Sequence, residues 1–242
     1  MQILFIRHAD PNYVLDSLTR EGVREAKALA DYLEDVKIDR YYCSTYGRAK
    51  KTASYTLKKK KAKAEYYSWL EEFHGRCEKP NTPGVVEYCW DWLPADWTSQ
   101  PVFYDKDHWF DAPVFKDTNV KSEALLVTSE FDKFLARQGY VRDGAIYRAE
   151  KPNTDTIAIF CHLGVQCVML AHLIGVSPMV LWHGFAQSPS SITKVVTEER
   201  QEGKACFRIL EMGAVPHLAV KKMDPVFAAR FCECYSIKEQ RH

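Results

Sequence analysis

Ile3-Leu4-Phe5-Ile6-Arg7-His8 is the stretch from which the fold of this chain is read. Four consecutive apolar residues give the pattern of a strand buried on both faces, as in the middle of a parallel sheet. Arg7 and His8 stand at its carboxyl end. There an open α/β sheet holds its ligands, because helices on the two faces leave a crevice beyond the strand tips. Successive strand side chains point to opposite faces, so Arg7 and His8 can meet on one ligand only where strand gives way to loop. Asp10-Pro11-Asn12 supplies that break.

Composition sets the outer limits. The 242 residues, 46% hydrophobic and 27% charged, are enough for one large α/β domain or a domain with an insertion. Lys and Arg number 33 against 32 Asp and Glu, a net charge of +1, so the overall balance calls for neither nucleic acid nor an anionic membrane, and any anion site must be local. No apolar stretch reaches the roughly 18 residues of a membrane span. The eight cysteines are scattered, with Cys43, Cys161 and Cys167 inside apolar runs and no signal peptide ahead of the first strand. Free thiols in a reducing cytoplasm are therefore expected. Cys232-Glu233-Cys234 lacks the second pair of a metal finger and is read as two partly buried thiols near a C-terminal helix. No metal and no cofactor are expected, and nothing in the chain sets an oligomeric state.

Downstream of the first strand, Thr19 caps a helix in which Val23, Ala26, Ala30 and Leu33 face the sheet while Arg24, Glu25, Lys27 and Asp31 stay in water. Tyr41-Tyr42-Cys43 is a second strand, ended by Ser44-Thr45 ahead of Gly47-Arg48-Ala49. A residue in the first turn after a strand projects beside the free amides of a helix N-terminus, where phosphate is already favoured. Arg48 would add a planar, permanently charged fork for phosphate oxygens. A cysteine-dependent phosphatase loop is rejected, because four residues rather than five separate Cys43 from Arg48 and Tyr42 stands where histidine is needed. Lys58 to Lys61 is the solvated last turn of this helix, where lysines suit the dipole. A second buried strand, Thr156 to Cys161, ends on His162 and leads into an apolar helix through Val165, Val168, Met169 and Leu173.

These pieces, in this order, resemble the histidine phosphatase superfamily, which also contains the cofactor-dependent phosphoglycerate mutases. Arg7-His8-Ala9 is similar to its first signature, and Ser44, Arg48, Ala49, Thr52 and Ala53 to its second-arginine pattern. Leu70 and Glu72 match the Leu-x-Glu segment that carries the proton donor, and His162 the second histidine. Ala9 and Leu163 replace glycines that the family usually has, which changes backbone freedom but not charge. The resemblance covers about residues 1–75 and 155–218. It implies an α/β fold, a mostly parallel sheet with helices on both faces, built as a single domain over 1–242. His8 would be the nucleophile, Glu72 the proton donor, and Arg7, Arg48 and a protonated His162 the phosphate ligands. Adjacent Glu71 is left facing water, since alternation about Leu70 sends Glu72 toward the pocket.

The activity so implied is metal-independent hydrolysis of a small phosphomonoester through a phosphohistidine. Two alternatives are a mutase-type phosphoryl transfer, for which the residues after the first motif, Asp10-Pro11-Asn12-Tyr13, are wrong, and an inactive phosphate-binding module. From about 76 to 150 the resemblance fades into an insertion rich in Trp and Pro, with a helix from about Val120 to Arg137 and a hairpin turning at Arg142-Asp143-Gly144. So much indole must be covered, so the insertion is expected to cap the sheet tips and to set specificity. A second hairpin, Ser191 to Thr197 with Ala205 to Glu211, crosses Gly203, and His172, His183 and His217 are read as supporting residues.

Overall fold

The computed structural model describes residues 1–80, 82–226 and 234–240. Its centre is β1 (Gln2–Arg7), with Ile3, Leu4, Phe5 and Ile6 all buried. On one side β1 pairs in parallel with β6 (Thr156–Cys161), which pairs in parallel with β2 (Arg40–Ser44), and β2 in turn with β3 (Ala64–Tyr67). On the other side the pairings are antiparallel, through β7 (Ile192–Gln201), β8 (Lys204–Ala214), β5 (Ile146–Ala149) and β4 (Tyr140–Asp143). The order is β3-β2-β6-β1-β7-β8-β5-β4, and two successive antiparallel steps restore direction, so six of the eight strands run the same way.

Alternation along β1 splits the core between the two faces. Leu4 and Ile6 pack under α1 (Arg20–Tyr32) and α2 (Gly47–Lys60), through Leu29, Leu33, Ala49 and Ala53. Ile3 and Phe5 face the other way, onto α3 (Val120–Arg137), α4 (Leu163–Ile174) and α5 (Pro178–Gly184). Both faces are covered, as the uninterrupted apolar strand requires. Among the described residues no helix is long and apolar enough to cross a membrane.

Local rules account for the element ends. Thr19 accepts from the Gly22 amide at 3.0 Å as the N-cap of α1. Lys58, Lys59 and Lys60 form the last turn of α2, two of them tied to the α1 side: Lys59 pairs with Asp31 and Glu34, and Lys60 donates to the carbonyls of Glu34 and Val36. The strand β6 and the helix α3 occupy the spans expected from their periodicity, and the hairpin turns β4 into β5 at Gly144. Cys234 is exposed, and Cys232 and Glu233, with the C-terminal helix read beside them, lie outside the described residues.

The insertion shares the main core rather than forming one of its own. Trp92, Trp97, Trp109, Phe103 and Phe115 are buried in the same cluster as Phe5, Phe131 and Trp182. Their rings meet at tilted and edge-to-face angles, Trp109 against Trp182 at 5.3 Å and Trp92 against Phe103 at 5.7 Å.

Glu25 corrects the reading of α1. Placed in water by helical periodicity, it is fully buried, with the Asp10 loop over it. One carboxylate oxygen accepts the Asp10 amide at 2.9 Å and the other has no partner. Burial, reinforced by the negative charges of Asp10 and Glu21 and opposed by the Asp10 amide and Arg7, raises its pKa from 4.5 to about 7. In the unfolded chain Glu25 ionises near 4.5, so folding is penalised increasingly as pH rises from there to about 7, by up to about 3 kcal/mol. Glu25→Gln keeps an acceptor for the Asp10 amide and removes the titration. Urea unfolding should find the variant close to wild type at pH 4.5 and more stable by about 2–3 kcal/mol at pH 8. Parallel stability curves would contradict this.

Candidate active site

The sheet register builds the site. Arg7 lies opposite Cys161, so His8 and His162 each follow by one residue on adjacent parallel strands, and their ring centroids are 5.0 Å apart. Both rings are buried. The peptide before and after His8 is held on each side: the Arg7 amide donates to Ser191 O at 3.1 Å, the His8 amide to Cys161 O at 2.9 Å, and the Ser190 amide to His8 O at 3.1 Å. His8 Nδ1 lies 2.9 Å from its acceptor, the Ala9 carbonyl. A carbonyl only accepts, so Nδ1 carries the proton and Nε2 keeps its lone pair. Burial pushes the His8 pKa well below its usual value, and Arg7 and Arg48 push it further.

Arg48 and Thr52 are one helical turn apart on α2 and face this loop together. Thr52 Oγ1 accepts the Ala9 amide at 3.0 Å and donates to Arg48 O at 2.8 Å. The guanidinium of Arg48 lies 4.6 Å from the centre of the Tyr46 ring, which stands edge-on to His162 at 5.3 Å. Its Nη1 pairs with Asp16 at 2.8 Å. Burial raises the Asp16 pKa, but hydrogen bonds from the Gly47 amide and Arg48 outweigh it and hold the carboxyl below its usual range. Gly47 is required here, since a Cβ would lie 2.1 Å from Asp16 O.

His162 is the N-cap residue of α4, and its Nε2 lies 2.8 Å from Ser44 Oγ at the end of β2. Nδ1 has no partner. Burial, then His8, Arg48 and Arg7, push its pKa well down, which favours neutral His162. A bound dianion would reverse the electrostatic part of that shift.

Glu72 is buried beside the first turn of α4, where Oε1 accepts from the Phe73 amide at 2.9 Å and the Val165 amide at 3.2 Å. Burial raises its pKa against those amides and the charges of Arg7 and Arg48. A Cβ at 164 would sit 2.7 Å from Glu72 Oε1, so a side chain there would push the carboxyl aside. Glu71 is half-exposed but bonded, accepting from Thr45 Oγ1, with His74 at 4.0 Å. The two carboxylates separate not by strand alternation but because the 3-10 turn Ser68–Leu70 buries Leu70 and releases an extended Glu71.

The sequence-read residues Arg7, His8, Arg48, Glu72 and His162 thus lie together at one end of the parallel strands, and Arg7 Nε, Arg48 Nε and His162 Nδ1 are buried without a protein partner. Buried cationic groups with unpartnered N–H atoms beside two imidazoles suit an anion. The model of the histidine phosphatase superfamily (branch 1) matches residues 3–208. The chain belongs to this superfamily.

Solved structures agree on the fold. A phosphoserine phosphatase mutant from Entamoeba histolytica is 15% identical at a TM-score of 0.60, with 90% of this chain and 98% of that one covered. The alpha-ribazole phosphatase from Shigella flexneri is 18% identical at 0.56, over 89% and 98%. Mycobacterial glucosyl-3-phosphoglycerate phosphatase is 14% identical at 0.55, over 88% and 98%. No curated protein matches in sequence.

Within the superfamily, the two replaced glycines turn out to need no glycine. Neither Ala9 nor Leu163 has a positive φ, and the Ala9 methyl is buried against Leu18 and Ala26. Two supports of the site, Asp16 and Ser190, escaped the sequence reading, and Ser44 was read there without its role. Asp16 reaches Arg48 from an exposed loop, and Ser44 and Ser190 act through a hydroxyl on His162 and an amide on His8. Ser190 takes a φ of 61° and its hydroxyl lies 2.9 Å from His217 Nε2, which gives that histidine its supporting place. His172 and His183 instead bond Asp132 and the Met179 carbonyl.

Asp16 therefore carries two tasks, capping α2 through the Gly47 amide and anchoring Arg48. Asp16→Asn keeps an acceptor for the amide, whereas Asp16→Ala keeps neither task. Urea denaturation should show Asp16→Ala destabilised by about 1 kcal/mol relative to Asp16→Asn. Equal stabilities would mean that the cap contributes nothing.

Proposed function

We propose that this protein hydrolyses small phosphomonoesters through a phosphohistidine formed on His8. The observation that carries the reading is the committed tautomer of His8, with Nδ1–H spent on Ala9 O and Nε2 open, set among the partnerless donors of Arg7, Arg48 and His162. A phosphomonoester dianion repels a nucleophile, and two guanidiniums with a histidine that gains a proton on binding offset that charge. His8 Nε2 attacks phosphorus, the bond from phosphorus to the alcohol oxygen breaks, and Glu72 delivers its proton to that oxygen. Water then attacks the phosphohistidine, Glu72 takes its proton back, and phosphate leaves with the P–N bond broken and the Nε2 lone pair restored. Burial of Glu72 supports the acid role, because a carboxyl with a raised pKa holds its proton closer to neutrality.

His8→Ala should fold and still bind vanadate, but form no acid-labile phosphoenzyme. Equal labelling of wild type and variant would end the proposal. Glu72→Gln should lose about 100-fold or more on alkyl phosphates and much less on aryl phosphates, whose leaving groups barely need the proton. Glu71→Gln should stay close to wild type on both, and the reverse pattern would move the acid role to Glu71. Phosphate release without any phosphorylated cofactor separates hydrolase from mutase in the same assay.

A further inference from the structure

Most aromatic residues of the insertion are buried in the core, and Tyr88 and Trp90 are among those that are only partly buried. Trp90 stacks on Tyr88, with centroids 5.1 Å apart and planes 21° from parallel. The guanidinium of Arg76 covers the Tyr88 ring at 4.7 Å, so the stack has three layers. Its inner end is at the reacting groups. A Cβ built on Gly164 would lie 2.7 Å from Glu72 Oε1 and 2.9 Å from Trp90 Nε1, which places the indole edge and the carboxyl against the same backbone atom. Trp90 Nε1 donates to Phe73 O at 3.2 Å, next in the chain after Glu72, so the indole is fixed in position. Tyr46 and His74 join through a hydroxyl and Nε2 that are 2.7 Å apart.

Resting on the reading of Glu72 as the acid, we propose that Tyr88 and Trp90 form the subsite for the leaving alcohol. The substrates are accordingly alkyl phosphomonoesters whose alcohol carries an aromatic ring near the ester oxygen. The acid must touch the oxygen that departs, so whatever lies beside the acid touches the group attached to that oxygen. Here it is a stacked pair of aromatic rings, fixed by a hydrogen bond and a cation. Flat π-faces favour offset or edge contact with another ring over contact with a saturated group of similar size. The ester is alkyl because a buried acid is of most use to a poor leaving group.

The test compares benzyl, cyclohexylmethyl and methyl phosphate by kcat/KM on the wild-type protein and on Tyr88→Leu, Trp90→Leu and Trp90→Phe. Wild type should prefer benzyl over methyl phosphate by tenfold or more, and over cyclohexylmethyl phosphate by several-fold. The benzyl-to-methyl ratio should fall about tenfold in Tyr88→Leu and Trp90→Leu and be largely retained in Trp90→Phe, which has a ring but no N–H for Phe73 O. If Trp90→Phe loses the preference as fully as Trp90→Leu, the indole only braces the backbone and the subsite is refuted. Equal turnover of benzyl and cyclohexylmethyl phosphate would refute the aromatic class. Should wild type release phosphate from none of the three, the hydrolase reading fails, and binding decides the subsite separately. Benzylphosphonate should bind wild type about tenfold tighter than methylphosphonate, read by tryptophan fluorescence, and Tyr88→Leu should abolish that difference. Equal affinities would overturn the proposal.

Discussion

Burying two guanidiniums and two imidazoles at the carboxyl end of the central strands is the constraint around which this molecule is built. Cations out of water are costly unless paired. Arg48 is answered by Asp16, reached across from the loop after β1, and Arg7 by the field of Glu72 and the carbonyl of Gln187. Neither answer is complete, since both arginines keep a buried Nε without an acceptor. The histidines meet the same constraint differently, by giving up their protons. The resting pocket is thus short of negative charge, and that deficit is its affinity for an anion.

Much of this was legible because two signals coincide. An apolar run marks a doubly covered strand, and a polar residue at its carboxyl end then has few reasons to be there other than a ligand. This logic placed Arg7, His8 and His162, the first turn after a strand placed Arg48, and the family resemblance placed Thr52. Glu25 was misread for an instructive reason: periodicity reports which side of a helix faces the sheet, but not what the following loop folds over. The carboxylate is covered by Asp10, a residue outside the helix pattern altogether. Asp16 and Ser190 were invisible for a related reason. Each acts from a loop with a left-handed backbone, and their partners, Arg48 and His8, are set by tertiary structure alone.

The insertion is anchored to the family core through its large rings. Its large rings bury into the cluster that already holds Phe5 and Trp182, which fixes the added segment to the scaffold instead of leaving it on a tether. Tyr88 and Trp90, the latter near Glu72, are only partly buried. A side chain placed by a rigid neighbour loses little entropy when it meets a ligand, so a few aromatic positions on a well-anchored segment suffice to discriminate alcohols.

On the proposed mechanism, burial biases the protonation of the site toward what the first chemical step needs. His8 must be neutral on Nε2, and burial, Arg7 and Arg48 favour that state. Glu72 must hold a proton, and burial favours that too, against the pull of the same two arginines. The arginines therefore aid the nucleophile and oppose the acid, and the balance at Glu72 shifts once a dianion arrives and cancels their field. Phosphate binding raises the proton affinity of Glu72 and His162 together while leaving Nδ1 of His8 tied to Ala9 O. The substrate itself thus completes the charge state in which it reacts, and His8, whose tautomer is set by a backbone carbonyl, is the one group whose readiness does not wait for it.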